Sequence, residues 1–386
     1  MENKRRSIEL AEIFSSHAQD YLKKHKLCEE QHKVYKSITQ CRTALLGGHV
    51  DTCDSCGFIR PSYNSCRNRH CPKCQYIKKV QWVDKLAGNL PPTKHFHLVF
   101  TIPSCLHNLF YINQRIAYKL LFAAAGLTLK QCAKNPKYLG AEAGAVAILH
   151  TWGQTLVYHP HIHMIVPAGG LSEDHTEWKP SGKKFFLPVR ILSMVFRGVL
   201  CRLIEKAVER KEIVLPDKSS SFKTIKEQCY KNNWVVYCEK PFSCSDSLIQ
   251  YLGNYTHRVA ISNQRIIRHD NGQVSFYYKD YKTAGMRKMI TLTAEEFIRR
   301  FLQHVLPDGF SKIRYFGFLS ICNMKTKLAE CFDLIEKTCF LPELQGLNAL
   351  EVWRAISGKD PLLCQKCHAG KMIARKKISA GGFEAG

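Results

Sequence analysis

No stretch of this chain reaches the ~18 consecutive apolar residues that would cross a bilayer. The most apolar candidate, Leu120 to Leu129, is too short and is bracketed by Lys119 and Lys130. The opening residues Met1-Glu2-Asn3-Lys4-Arg5-Arg6 lead into an amphipathic stretch rather than the apolar core of a secretory signal. There is no long internal repeat and no low-complexity tract, which excludes a repeat architecture. Acidic residues are scarce: 32 Asp and Glu stand against 57 Lys and Arg, for a net charge of +25. That balance favours a polyanionic partner, most simply DNA or RNA. The competing sources of such charge are a ribosomal or a membrane-surface protein. Cysteine, by contrast, is abundant at 18 residues. Without a signal segment the thiols are expected to be reduced and cytoplasmic, so clustered cysteines read as metal ligands rather than disulfides.

The length, 386 residues, allows two or three domains with real cores. Helical spacing of Ile8, Ala11, Phe14 and Ala18, and a second run from Glu29 to Leu46 stopped by Gly47-Gly48, predict a helical start. Residues 49–76 lose that period and hold five cysteines and two histidines. A helix from Gln75 to Leu90 ends at Pro91-Pro92. Beyond it, strands are predicted at His95–Phe100, Gly144–Thr151, Val157–Pro167 and Trp234–Tyr237, and helices at Ser104–Ala133 and Arg190–Lys211. Gly169-Gly170 reads as part of a turn. Asp270-Asn271-Gly272 marks a hairpin, and Thr293 with Glu296 forms a capping box for a helix to His304. The pattern predicts an α+β fold, an antiparallel sheet covered by helices. The expected division is 1–90 helical and zinc-binding, 91–320 catalytic, and 321–386 a weakly patterned extension with a mobile basic tail.

Cys53-Asp54-Ser55-Cys56 and Cys71-Pro72-Lys73-Cys74 are two CxxC pairs separated by 14 residues. Four thiolates at this spacing can close a tetrahedral Zn²⁺ site, which leaves no open position and is therefore structural. Cys66, His70 and His49 lie beside it and are candidates to replace a ligand or to form a second site. Arg67, Arg69 and Lys73 between and within the pairs are positioned by sequence to meet phosphates. Cys364 and Cys367 form a further CxxC, either a half-site completed by Cys66 and His70 or an unmetallated surface pair.

The segment His159-Pro160-His161-Ile162-His163 carries the chemistry. Alternate residues of a strand share a face, so His161 and His163 point the same way with Cα atoms roughly 6.6 Å apart and can converge on one divalent ion. His159 shares the face but is roughly 13 Å from His163, too far to join them. Pro160 suggests the start or edge of the strand. Downstream, Tyr251 and Tyr255 lie one helical turn apart and would stack on one face. Thr256-His257-Arg258 and then Arg265 make that face polar and cationic, suited to phosphates. A divalent ion on a scissile phosphate orients it and stabilises the transition state. A tyrosine phenolate attacking phosphorus leaves a free 3′-hydroxyl and a 5′-phosphotyrosine, which stores the bond energy for rejoining.

These residues carry a family resemblance. His159 to Gly170 resembles the metal motif of HUH nucleases. Tyr251 to Ser262 resembles the two-tyrosine block of rolling-circle transposases of the insertion sequence 91 family, and Tyr63 to Cys74 is similar to that family's N-terminal zinc-binding region. The resemblance runs from about residue 25 to 325. It implies an HUH fold, His161 and His163 as ligands of Mg²⁺ or Mn²⁺, and Tyr251 and Tyr255 as nucleophiles. It further implies a third metal ligand, for which His97, Gln250 and His257 are candidates. The expected activity is nicking and transfer of single-stranded transposon ends into a DNA target, in the cytoplasm and on the nucleoid. A plasmid replication initiator or relaxase shares this chemistry, and a non-catalytic zinc-dependent DNA-binding protein shares the charge.

Overall fold

The computed structural model describes residues 8–182, 187–216, 221–232, 234–238, 260–280, 283, 285–336 and 340–381. The N-terminal part contains α1 (Leu10–Ser16), α2 (Ala18–Lys24), α3 (Glu29–Gln40), β1 (Gly48–Cys53), β2 (Ile59–Tyr63) and α4 (Tyr76–Asn89). The middle contains β3 (His95–Thr101), α5 (His107–Ile112), α6 (Gln114–Lys134), β4 (Ala145–Trp152), β5 (Tyr158–Pro167), β6 (Gly169–Leu171), β7 (Trp178–Pro180), α7 (Val189–Glu209), α8 (Phe222–Lys231) and β8 (Val236–Cys238). The remainder contains β9 (Ile266–Asp270), β10 (Gln273–Asp280), β11 (Met286–Thr293), α9 (Ala294–Leu302), β12 (Ile313–Phe316), α10 (Lys327–Ile335), α11 (Ala349–Ser357) and β13 (Met372–Ile378).

The main sheet is antiparallel, with strand order β12-β4-β5-β3-β8. Its position is set by one apolar face. Phe96, Leu98 and Phe100 of β3, Ala147 and Leu149 of β4, and Ile162, Met164 and Val166 of β5 form one core with α6 and α7. Each large side chain buried in this way contributes about 1.5–3 kcal/mol. A one-residue slip of β5 would drive His161 and His163 into that core, so the apolar face fixes the register of the histidines. The opposite face is apolar only at one end, where Val146, Ile148 and Ile165 are covered by Leu86 and Leu90 of the α4 region and Leu328 and Cys331 of α10.

A second sheet, β11-β10-β9, packs with α9 against the N-terminal helices. Leu10, Ile13 and Phe14 meet Phe276, Phe297 and Phe301, with Phe14 edge-on to Phe301 at 5.4 Å between ring centroids. The Thr293 side chain accepts from the Glu296 amide at 3.2 Å, the first half of the expected capping box; the Glu296 carboxylate pairs with Arg299 and Arg300 instead of closing the second half. Packing therefore crosses the sequence boundary at 90. It also crosses the one at 320, because β13 pairs with β1 in a third sheet, β13-β1-β2. Lys376 and Lys377 lie in that strand, opposite Val50 and His49, and not in a mobile tail.

Other differences have local causes. The single helix expected over Ser104–Ala133 is broken at Asn113, whose side-chain amide donates to the carbonyls of Leu109 (2.9 Å) and Val214 (2.7 Å) and accepts from Val214 N–H (2.9 Å). Gly169 and Gly170 form strand β6 instead of a turn. A Cβ on Gly170 would lie 2.6 Å from the Glu142 carbonyl oxygen, so glycine is needed for the close approach. Pro160 sits in a central strand, but where β5 can spare an amide: β3 ends opposite His161, and the pairing with β4 is irregular between His150 and Trp152.

Candidate active site and metal centres

The histidine face is built by cross-strand register. His150 of β4 lies directly opposite His161 of β5, and His163 is the next residue on the same face. The ring nitrogens of these three lie within 4.8 Å of one another. Ring centroids are 4.4 Å apart for His150 and His163, and 4.7 Å for His161 and His163. His97, diagonal to His163 on β3, places Nε2 2.8 Å from His163 Nδ1 with the rings stacked. All four are buried.

A hydrogen bond at its outer nitrogen sets the His161 tautomer. His161 Nδ1 lies 2.7 Å from the His159 carbonyl oxygen, which only an N–H can satisfy, so Nε2 carries the lone pair. His163 Nδ1 lies 2.8 Å from His97 Nε2, and the Nε2 atoms of His161 and His163 are 2.9 Å apart; in the tautomer in which His163 Nδ1 donates to His97, His163 Nε2 also carries a lone pair. In that tautomer the two nitrogens are placed to share one cation. Burial brings the His161 pKa down to about 3, with the nearby His159 adding to the effect. Burial, followed by the neighbouring His150, holds His163 well below the ordinary histidine range. Both imidazoles are thus neutral at pH 7, the form that can bind a metal. The donor set fits a divalent ion that accepts nitrogen, so Mn²⁺ fits better than Mg²⁺, which prefers oxygen.

His159 contributes its carbonyl to His161 rather than its ring to the cluster, as its strand position requires. His150 escaped the sequence reading although its strand was predicted. The available signal was a histidine inside an apolar strand, and it gains meaning only once β4 is paired in register with β5. Tyr251, Tyr255, Gln250, His257 and Arg258 lie outside the described residues. The described chain leaves at Cys238, which pairs with Leu98, itself opposite Met164. Cys238 is thus two strands, roughly 10 Å, from the histidine strand. It returns at Ala260, whose carbonyl, with that of Gln154 in the β4–β5 loop, accepts from the Arg265 guanidinium.

Among the described residues the cysteines gather in two clusters of four, neither of them the expected Cys53/Cys56/Cys71/Cys74 set. Cys53 and Cys56 do not join Cys71 and Cys74. The β1–β2 hairpin carries Cys53 five residues, roughly 17 Å, from Gly48, whose partner Tyr63 leads into Cys66. Cys71 and Cys74 instead meet Cys41 at the end of α3 and Cys66. Sγ of Cys74 is 3.3 Å from that of Cys41 and 3.6 Å from that of Cys66. The four thiols compete for ionisation. Hydrogen bonds from Cys66 and Cys71 bring Cys41 to about 6, and bonds from Cys41, Cys66 and Cys71 hold Cys74 low, while Cys66 and Cys71 are pushed up, first by Cys41. One bound cation removes the conflict and lets all four be thiolates. Cys53 and Cys56 gather with Cys364 and Cys367, so the C-terminal CxxC is completed by these two and not by Cys66 and His70.

His70 is buried beside the Cys41 centre without being part of it. Burial, with Arg69 and Lys312 close by, keeps its pKa well below the ordinary value. Of the expected phosphate contacts, three are spent inside the fold. The Arg69 guanidinium donates to the carbonyls of Phe310, Leu306 (3.3 Å) and Pro307 (2.8 Å). Lys73 is paired with Glu9, and Arg265 donates to Tyr277 O at 2.8 Å as well as to Gln154 O. Arg67 is exposed. Arg69→Ala is accordingly expected to cost about 2–4 kcal/mol of stability by stripping three carbonyls, measured by denaturant unfolding. The salt dependence of DNA binding should stay as it is; a shallower slope would restore Arg69 to the phosphate contacts.

These features define a strongly basic α+β protein whose antiparallel sheet carries a buried cluster of three histidines, together with two clusters of four cysteines. Among the described residues no helix is long and apolar enough to cross a membrane. Residues 13–102 match a family model described as "Transposase zinc-binding domain", and residues 144–327 one described as "Putative transposase". The first span holds the complete Cys41 centre, the second the three histidines and both tyrosines. The chain is 41% identical over 374 residues to "Putative transposase y4qJ" of Sinorhizobium fredii (strain NBRC 101917 / NGR234), covering 95% of this chain and 94% of the relative. It is 29% identical over 342 residues to "Transposase for insertion sequence element IS801" of Pseudomonas savastanoi pv. phaseolicola, covering 88% and 82%. No solved structure matches it. The chain belongs to the insertion sequence 91 family of transposases, with an N-terminal zinc-binding domain.

Proposed function

We propose that this transposase nicks and transfers single-stranded DNA through a 5′-phosphotyrosine, at a divalent ion held by His150, His161 and His163. The observation that carries the reading is the convergence of three buried imidazoles, from two paired strands, on one sheet face. When bound, a divalent ion there supplies charge stabilisation to the scissile phosphate. The chain's own residues do the rest. The His159 carbonyl fixes the His161 tautomer, and His97 orients the His163 ring from 2.8 Å. Tyr251 or Tyr255 loses its phenolic proton and forms an O–P bond. The P–O3′ bond breaks, and the departing 3′ oxygen takes up a proton. A second tyrosine permits a second attack before the first DNA end is released. The residues that border the tyrosine-bearing segment support this role: Cys238 is two strands from β5, and Ala260 is bridged through Arg265 to the β4–β5 loop.

The zinc-binding domain and the transposase relatives favour transposition over plasmid replication or conjugation with the same chemistry. Cys41, Cys66, Cys71 and Cys74 hold the structural zinc in this reading. The test is cleavage of a labelled oligonucleotide carrying the element's end, single-stranded or duplex, with Mn²⁺, Mg²⁺ or EDTA. Cleavage of the single strand, faster with Mn²⁺ and abolished by EDTA, is expected. Tight binding of the correct end without cleavage in any metal would replace this reading with a non-catalytic DNA-binding protein.

A further inference from the structure

Cys364 and Cys367 lie beyond both matched family regions, yet they meet Cys53 and Cys56 across 308 and 314 positions of sequence. We propose that Cys53, Cys56, Cys364 and Cys367 bind a second zinc ion, distinct from the one at Cys41, and that this ion clasps the C-terminal strand to the N-terminal hairpin.

The geometry is that of a four-thiolate site. Sγ of Cys53 is 3.8 Å from that of Cys367, and Sγ of Cys56 is 3.7 Å from that of Cys364. A tetrahedron with Zn–S bonds of about 2.3 Å has edges of about 3.8 Å. Both CxxC pairs turn as knuckles with amides aimed at sulfur: Cys56 N–H at Cys53 Sγ, Lys366 N–H at Cys364 Sγ and Gly370 N–H at Cys367 Sγ, each 3.4 Å. The two knuckles also lock to each other. Asp54 accepts from the Lys371 amide through its side chain at 2.7 Å and donates its own amide to the Lys371 carbonyl at 3.1 Å. Gly370 permits this approach, since a Cβ there would lie 2.6 Å from both Cys53 Sγ and Asp54 Oδ1.

The need for a metal follows from how little apolar packing supports the β13–β1 ladder. The apolar cluster at this end contains only Cys53, Cys364 and Met372, with Phe58 and Cys367 against it. Along β13, the five residues between Met372 and Ile378 are all exposed. A three-stranded sheet with so small a core ordinarily needs a staple. The two halves of this centre are therefore expected to separate when the ion is removed.

Elemental analysis of the full-length protein is the first test. Cys364→Ser/Cys367→Ser should contain one zinc fewer per chain than the unaltered protein, and Cys71→Ser/Cys74→Ser should lose a different one. Taking differences keeps any zinc at the histidine centre out of the result. Pulse alkylation of the unaltered protein covers the case in which a variant does not fold. With metal in place, Cys364 and Cys367 should react at least tenfold more slowly than the exposed Cys28 and Cys322. Zinc release by a mercurial should expose them and open Arg375–Lys377 to trypsin. Equal zinc in the Cys364/Cys367 variant, alkylation of these thiols as fast as Cys28, or a disulfide between Cys53 and Cys367 would each overturn the proposal. None of these readouts depends on DNA cleavage.

Discussion

His163→Ala is expected to lower metal-dependent strand cleavage by roughly 10³-fold or more while leaving the fold intact. Losing the ion removes several kcal/mol of charge stabilisation at the phosphate, and each 1.36 kcal/mol is tenfold in rate. The fold should survive because β5 is held by the side chains on its other face, Ile162, Met164 and Val166. His163 is the strongest single test because it touches both halves of the arrangement, His161 at Nε2 and His97 at Nδ1. Two companion variants divide the roles. His150→Ala should fall nearly as far, because His150 is one of the three convergent rings. His97→Ala should fall only about 10–100-fold, the usual cost of removing a group that orients a ligand. Rescue of His97→Ala by raised Mn²⁺, without rescue of His163→Ala, would confirm the division. Equal and full loss in His97→Ala, with His150→Ala unaffected, would make His97 the third ligand.

The second large effect belongs to the Cys41 centre. Cys71→Ser should abolish zinc binding there and unfold the N-terminal helices at a temperature well below that of the main sheet. Zinc sites of this type contribute on the order of 10 kcal/mol to small domains. Cys41 and Cys71 belong to the same buried cluster as Leu10, Phe14, Phe297 and Phe301, so the loss should spread into α9 and β9–β11. Hydrogen exchange by mass spectrometry would show faster exchange in residues 10–40 and 266–302, with β3–β5 protected. Uniform protection, with zinc absent, would mean that apolar packing alone holds this region.

What could be read from sequence was local. His161 and His163 follow from strand alternation, the cap at Thr293 from a three-residue spacing, and the α+β class from the mix of periods. What could not be read was long-range pairing. His150 acquires its role only through the register of β4 on β5. Cys41 has no CxxC partner to advertise it, and the partners of Cys364 lie at the other end of the chain. The same limit explains the basic residues. Arg69, Lys73 and Arg265 read as phosphate contacts by charge and spacing, but backbone carbonyls and Glu9, distant in sequence, take them up. The tyrosine pair was legible as a motif, and its proposed role awaits a chemical test.

That test is the measurement closest to the central claim. The protein is incubated with a single-stranded oligonucleotide of the element's end and Mn²⁺, and the covalent adduct is digested and its modified peptide sequenced by mass spectrometry. The account predicts a 5′-linked nucleotide on Tyr251 or Tyr255, absent with EDTA, in His163→Ala and in Tyr251→Phe/Tyr255→Phe. An adduct on any other residue, or cleavage that persists in the double phenylalanine variant, would contradict it.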